Sequence, residues 1–157
     1  MAVRKLVFSG DKLLTKTSRT VDKFDARLGE LIDDMAETMR RSNGVGIAAP
    51  QVGVLRRVVV IEATDGEVYT LVNPEIIEAL GEVEGSEGCL SVPDVWGIVA
   101  RPERVTLRAQ DRDGKSFTMT ASEYVARIIC HEIDHLNGVL FTDKVIRYLD
   151  DDEPEGE

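Results

Sequence analysis

The chain predicts an α+β fold: antiparallel β-sheets packed around a C-terminal helix that carries an H-E-x-x-H motif, with one amphipathic helix near the N-terminus. Three observations predict it. Residues 25–41 and 121–137 each place apolar side chains at helical spacing, and the stretch between them holds β-branched, alternating segments separated by Gly- and Asp-containing turns. With 157 residues, 43% of them hydrophobic, the chain can bury one sizeable core. The expected organisation is a single domain over residues 1–148 followed by an acidic, disordered tail over 149–157.

Residues 5–22 read as a polar lead-in that Leu13, Leu14 and Val21 tack onto the body. Asp25 is a plausible N-cap for a helix through Arg41, in which Leu28, Leu31, Ile32, Met35 and Met39 form an apolar stripe, with acidic residues early and Arg40-Arg41 at the end. The methionines on that stripe are packing residues rather than a cofactor contact. The run Gly44-Val-Gly-Ile-Ala-Ala-Pro-Gln51 reads by itself as a helix-to-strand connection, although glycines there permit close backbone approach and Gln51 offers an amide donor.

Arg57–Glu62 and Val68–Val72, joined through Thr64-Asp-Gly66, read as a hairpin. Further strands are expected over Ile76–Val83, Arg104–Ala109 and Phe117–Thr120, the last pair joined by Asp111-Arg-Asp-Gly114. Gly85–Gly97 reads as a loop from its glycines and proline, with Trp96 packed beside it. The last helix is framed by a capping box at Thr120-Ala-Ser-Glu123 and a C-terminal cap at Gly138. Val139-Leu-Phe141 is a short apolar segment, and from Tyr148 onward the chain is charged and contains Pro154 and Gly156.

The net charge of −10 is concentrated at the end, where Asp150, Asp151, Asp152, Glu153, Glu155 and Glu157 supply −6 and leave only −4 for the rest. No basic stripe suited to nucleic acid exists, so no direct nucleic-acid binding is predicted. The N-terminus lacks a signal-peptide core and no stretch approaches about 18 apolar residues, so no membrane association is expected and the cytoplasm is the expected location. There, Cys89 and Cys130 are expected as free or metal-bound thiols rather than a disulfide.

The chain's two histidines stand in His131-Glu132-Ile133-Asp134-His135. A helix advances about 100° per residue, so positions i and i+4 share a face and their imidazoles can grip one metal ion. Glu132 projects to the same side, where it can exchange a proton with a water on that metal. Ala121, Tyr124, Val125, Ile128, Ile129 and Leu136 form an apolar arc that encloses Glu132 and His135, and polar groups so placed are costly unless paired or metal-bound. The motif therefore predicts a hydrolytic metal site. Such sites take three protein ligands, and no histidine follows His135. Asp143 and Asp150 are formal candidates for the third, Cys130 projects about 100° from His131 onto the polar face, and Cys89 is the best choice by elimination.

Gly44-Val-Gly-Ile-Ala-Ala-Pro-Gln51, Glu87-Gly-Cys-Leu-Ser91 and His131-Glu-Ile-Asp-His135 together resemble the motifs of peptide deformylase in order and spacing, and the resemblance runs from the first helix to Phe141. It implies an enzyme that removes the formyl group from the N-terminal formylmethionine of new polypeptides. It implies that Cys89, His131 and His135 hold one divalent metal, Fe(II) in the family, with Zn(II), Ni(II) or Co(II) also compatible with the donors. Glu132 would act as proton shuttle, while the Gln51 amide and the Leu90 backbone N–H stabilise the oxyanion. The peptide would lie extended along Gly44–Gly46, with methionine in a pocket from Val45, Gly88 and Ile128. Arg101 matches a substrate-contacting arginine, a surface ion pair being its other reading, and Glu87 is expected to orient the loop.

Two departures stand out: Cys130 occupies a position often Gln in the family, and the acidic tail replaces a partly basic helix that some relatives use at the ribosome, which argues against docking by that route. The alternatives are an H-E-x-x-H metallopeptidase, whose third ligand would not be Cys89, and a structural metal module with four protein ligands and no use for Glu132.

Overall fold

The computed structural model describes residues 2–149, so expectations for residues 150–157, including Asp150 as a ligand and the disordered tail, lie outside the described residues. Two helices flank a five-stranded antiparallel sheet, and a three-stranded antiparallel sheet adjoins it. Helix α1 spans Ala26–Arg41, and Asp25 caps it by accepting from Leu28 N–H. Its first turn carries no acidic residue, so this cap rather than a charged first turn opens the helix.

The larger sheet orders β1 (Gly46–Ala48), β2 (Val58–Glu62), β3 (Val68–Leu80), β6 (Arg104–Gln110) and β7 (Ser116–Ser122). Val58 and Val60 face α1 together with Leu28, Leu31, Ile32, Met35 and Met39. Val59 and Ile61 face the opposite way, onto helix α2 (Glu123–Leu136) through Ile128, Ile129, Ile133 and Leu136. The unbroken β-branched run of β2 follows from burial on both faces. The smaller sheet orders β4 (Val83–Cys89), β5 (Val92–Arg101) and β8 (Arg147–Tyr148), and packs Val92 and Val99 on Phe141.

Several expected boundaries shift. Residues 46–48, read as connection, form the edge strand β1 before a 3-10 turn over Ala49–Val52. The Ile76–Val83 strand divides, because Gly81 takes a φ of 72° and turns the chain between β3 and β4. The Gly85–Gly97 loop is instead the β4–β5 hairpin. Its glycines mark close packing rather than turns: a Cβ at Gly85, Gly88 or Gly97 would meet Arg127, Trp96 or Val145 at 2.9, 2.9 and 2.7 Å. Thr120 stays in β7 opposite Thr106, so no capping box forms; Ser122 is the N-cap, and Glu123 donates its N–H to Glu103 O at 2.7 Å. Gly138 ends α2 with a φ of 75°, as expected. Tyr148 pairs with Gly97 and Leu149 donates to Trp96 O, so backbone pairing reaches Leu149, the first residue of the expected tail.

Candidate metal centre

Helix α2 and strand β4 supply the site from opposite sides. His131 and His135, one turn apart, bring their ring centroids to 5.2 Å on the buried face of α2. Phe141 stacks on His131 with centroids 5.9 Å apart. Glu87 and Cys89 both reach α2 from β4, across an irregularity in its pairing with β5 that falls between them. The Cys89 thiol lies 3.3 Å from His135 Nε2, and one donor atom from each of Cys89, His131 and His135 falls within 4.8 Å of the others.

These donors fit a metal. Tetrahedral bonds of about 2.0–2.3 Å put ligand atoms roughly 3.3–3.8 Å apart, a separation this triangle reaches with small adjustments. His135 is fully buried, and burial followed by repulsion from His131 pushes its pKa down to about 3, so the ring is neutral as a ligand must be. Asp143, a formal alternative, is exposed and accepts from Leu140 N–H instead. Cys89 and Cys130 form no disulfide.

Cys130 departs from its expected polar face. It is part-buried against the α2 side of the core, and burial pushes its thiol up to about 11. The reason is that α2 is enclosed on more than one flank, so a single apolar arc understates what it buries.

Behind His131 lies a buried ion network. Glu87 Oε1 accepts from His131 Nδ1 at 2.9 Å and from Arg101 Nη2 at 2.9 Å; Oε2 accepts from Arg101 Nε at 2.8 Å and Arg127 Nη1 at 2.7 Å. Four donors occupy the roughly four lone-pair directions of the carboxylate. Burial would raise the Glu87 carboxyl, but hydrogen bonds from Arg101 and His131 outweigh it and hold the group well below the usual carboxylate range. The acceptor fixes a proton on His131 Nδ1 and leaves Nε2 as the nitrogen a metal would take. Burial opposes charge on His131 as well, yet the bonds to Cys89 and Glu87 raise it well above the usual value, so a metal at Nε2 would bind in competition with a proton there.

Glu132 is 4% exposed, and its Oε1 has no hydrogen-bond partner among the described residues. Burial first, with the charge of Glu87 adding to it and that of His131 opposing, pushes its carboxyl up to about 7, where a group can both take and give a proton. Its other oxygen lies against Gly46, where an added Cβ would stand 2.6 Å away. The Gln51 amide donates toward Cys89 Sγ at 3.6 Å and Ser91 Oγ at 3.2 Å, while its oxygen accepts from Ala48 N–H at 2.9 Å.

A cavity of about 390 Å³ opens beside these groups. Of the residues singled out in the sequence, Gly44, Val45, Gly46, Gly88, Cys89 and Leu90 line it from one side, and Ile128, His131 and Glu132 from the other. Gln51 and His135 sit behind this wall.

Arg101 is 3% exposed, so its ion pair is buried rather than on the surface: it is the bidentate partner of Glu87, with Asp134 at 2.6 Å on its remaining arm. Glu87, expected to orient its loop, instead orients His131. Sequence reasoning missed Ser91, Tyr124 and Arg127. The spacing of Arg127, four residues before His131 on the buried face, was the available signal.

The family model for polypeptide deformylase matches residues 3–150. A peptide deformylase of Acetivibrio thermocellus is 56% identical over 155 residues, 99% of this chain and 91% of that protein. The crystal structure of a peptide deformylase from Legionella pneumophila superposes with a TM-score of 0.89 at 46% identity, covering 92% of this chain and 86% of the other. That from Thermotoga maritima superposes with a TM-score of 0.90 at 36% identity, covering 92% and 99%. The match extends through α1, both sheets and α2, and on it the chain belongs to the polypeptide deformylase family.

Proposed function

We propose that Cys89, His131 and His135 hold one divalent metal, Fe(II) for preference, and that Glu132 moves the protons of the reaction. The enzyme removes the N-formyl group from the N-terminal formylmethionine of newly made polypeptides and releases formate. The observation that carries the assignment is the triangle of one thiol and two imidazole donors beside a buried carboxyl whose Oε1 has no hydrogen-bond partner among the described residues. Zn(II), Ni(II) and Co(II) suit the same donors.

A metal held by this set lowers the pKa of water and polarises a carbonyl oxygen. The chain's own residues do the rest. Glu132 accepts a proton from the attacking water as its oxygen bonds to the formyl carbon. The Gln51 amide and the Leu90 backbone N–H are the donors aimed at the oxyanion, Gln51 being anchored through Ala48. As the C–N bond breaks, Glu132 returns the proton to the departing amine, leaving formate and a free N-terminus. The peptide lies extended along Gly44, Val45 and Gly46, with its methionine in the cavity between Gly88 and Ile128.

We take residues 1–148 as one catalytic domain acting in the cytoplasm. Its partners are formylmethionyl nascent chains, without direct nucleic-acid binding and without ribosome docking through the tail. Among the described residues, no helix is long and apolar enough to cross a membrane. The decisive experiment is formate release from a formyl-Met peptide by freshly purified, anaerobic protein, with metal content measured on the same sample. Metal in place without formate overturns the proposal.

A further inference from the structure

The deformylation chemistry gives no role to Arg127, a buried cation. Arg127 is 7% exposed and sits one turn before His131 on α2. Its guanidinium crosses from α2 to the hairpin that carries Cys89. Nη2 donates to Val83 O at 2.8 Å, and Nη1 donates to Val99 O at 2.9 Å and to Glu87 Oε2 at 2.7 Å. It lies flat over Gly85, where a Cβ would come within 2.9 Å of Nη2, so the absence of a side chain at that position is what admits it. It also forms part of the cavity wall.

We infer that Arg127 is a positioning residue for the metal centre: anchored on β4 and β5, it holds Glu87 in the orientation that fixes His131. This rests on the reading of Cys89, His131 and His135 as the ligands. The carbonyls of Val83 and Val99 locate the guanidinium, and Glu87 transmits its position to His131 Nδ1. Arg101 cannot substitute for it. Both of its bonds to Glu87 lie in one fork, and its remaining arm is committed to Asp134. Arg101 therefore ties Glu87 to α2 and to its own strand, whereas Arg127 ties it to the backbones of both β4 and β5. A lysine would keep the charge but place one ammonium where the planar fork now serves strand carbonyls and carboxylate together. Partners that orient a metal-bound imidazole typically govern metal affinity by about 10- to 100-fold.

The test is a double-substitution cycle on metal-loaded protein. The rate at which a chelator strips the metal is measured for the wild type, Arg127→Lys, Arg127→Met, Glu87→Gln and the Glu87→Gln/Arg127→Met pair, alongside thermal unfolding and separate kcat and KM on a formyl-Met peptide. Arg127→Met is expected to lose metal about 10- to 100-fold faster and Arg127→Lys less than that. In the Glu87→Gln background the further effect of Arg127→Met should shrink to under about threefold, because the route to His131 is already cut. If Arg127→Met does not fold, Arg127→Lys alone and with Glu87→Gln carries the same comparison. Wild-type metal retention in folded Arg127 variants, or an equal effect with and without Glu87→Gln, overturns the inference. A wild type that holds no metal would instead overturn the ligand assignment.

Discussion

Cys89 Sγ lies 3.3 Å from His135 Nε2, across 46 positions of sequence. Because β4 provides one and α2 the other, the separation of the hairpin from the helix decides whether a metal can be held. Cys89→Ala should therefore leave the fold intact and lower the metal content of the purified protein to a small fraction of one per chain. Retention of one metal per chain would point to a ligand other than Cys89.

Glu132 supplies no ligand atom to that triangle, so metal binding and turnover should separate there. Glu132→Gln should keep its metal and lose roughly 10²- to 10⁴-fold in kcat, the usual worth of a positioned acid-base group. Paired metal analysis and formate release on one preparation check it. An active Glu132→Gln enzyme would remove the residue from the mechanism.

Gly46 faces the same carboxyl. A Cβ there would stand 2.6 Å from Glu132 Oε2 and 2.9 Å from Ile128 Cγ2, so Gly46→Ala must displace one or both. A displacement near 1 Å at a reacting group can cost about 10²-fold, and kcat for Gly46→Ala should fall by at least about tenfold with metal content unchanged. Steady-state kinetics on metal-loaded protein provide the comparison.

Far from the metal, Asp34 ties the N-terminal segment to α1, accepting from Ala2 N–H at 2.8 Å and Arg4 Nε at 2.9 Å. The backbone bond from Ala2, ahead of Arg4 and against the effect of burial, holds its carboxyl below the ordinary value of 3.8. A group whose folded pKa is depressed stabilises the fold above its unfolded pKa and loses that contribution as pH falls through the folded one. Asp34→Asn should cost about 1–3 kcal/mol at pH 7, and the gap to wild type should close as pH drops below 3.8. Denaturant unfolding over that pH range measures it; a gap that widens toward acid contradicts the assignment.

Much of the architecture was legible because its causes are local. The stripe from Leu28 to Met39 needs only the helical repeat to be seen, and the apolar arc of α2 is equally plain. The β4–β5 hairpin was not, because glycine is read as a turn former. At Gly85 and Gly88 it serves instead as a landing for Arg127 and Trp96, side chains that arrive from elsewhere in the chain or across the hairpin. The burial of the Arg101 ion pair is hidden from the sequence for a related reason. Sequence shows a charge in a strand but not that Glu87 and Asp134 wait to neutralise it inside.

By itself the sequence determined the pair His131 and His135 with Glu132 beside them, since an i, i+4 spacing on a helix makes neighbours whatever the rest of the chain does. Its motifs also named Cys89 and Gln51 as companions. Only the tertiary structure decided how those companions are held: Glu87 saturated by four donors, Arg127 lying over Gly85, and Glu132 buried with its Oε1 unbonded among the described residues. These relations join residues from separate elements, and such distances are set by the packing of a hairpin against a helix, which no local periodicity encodes.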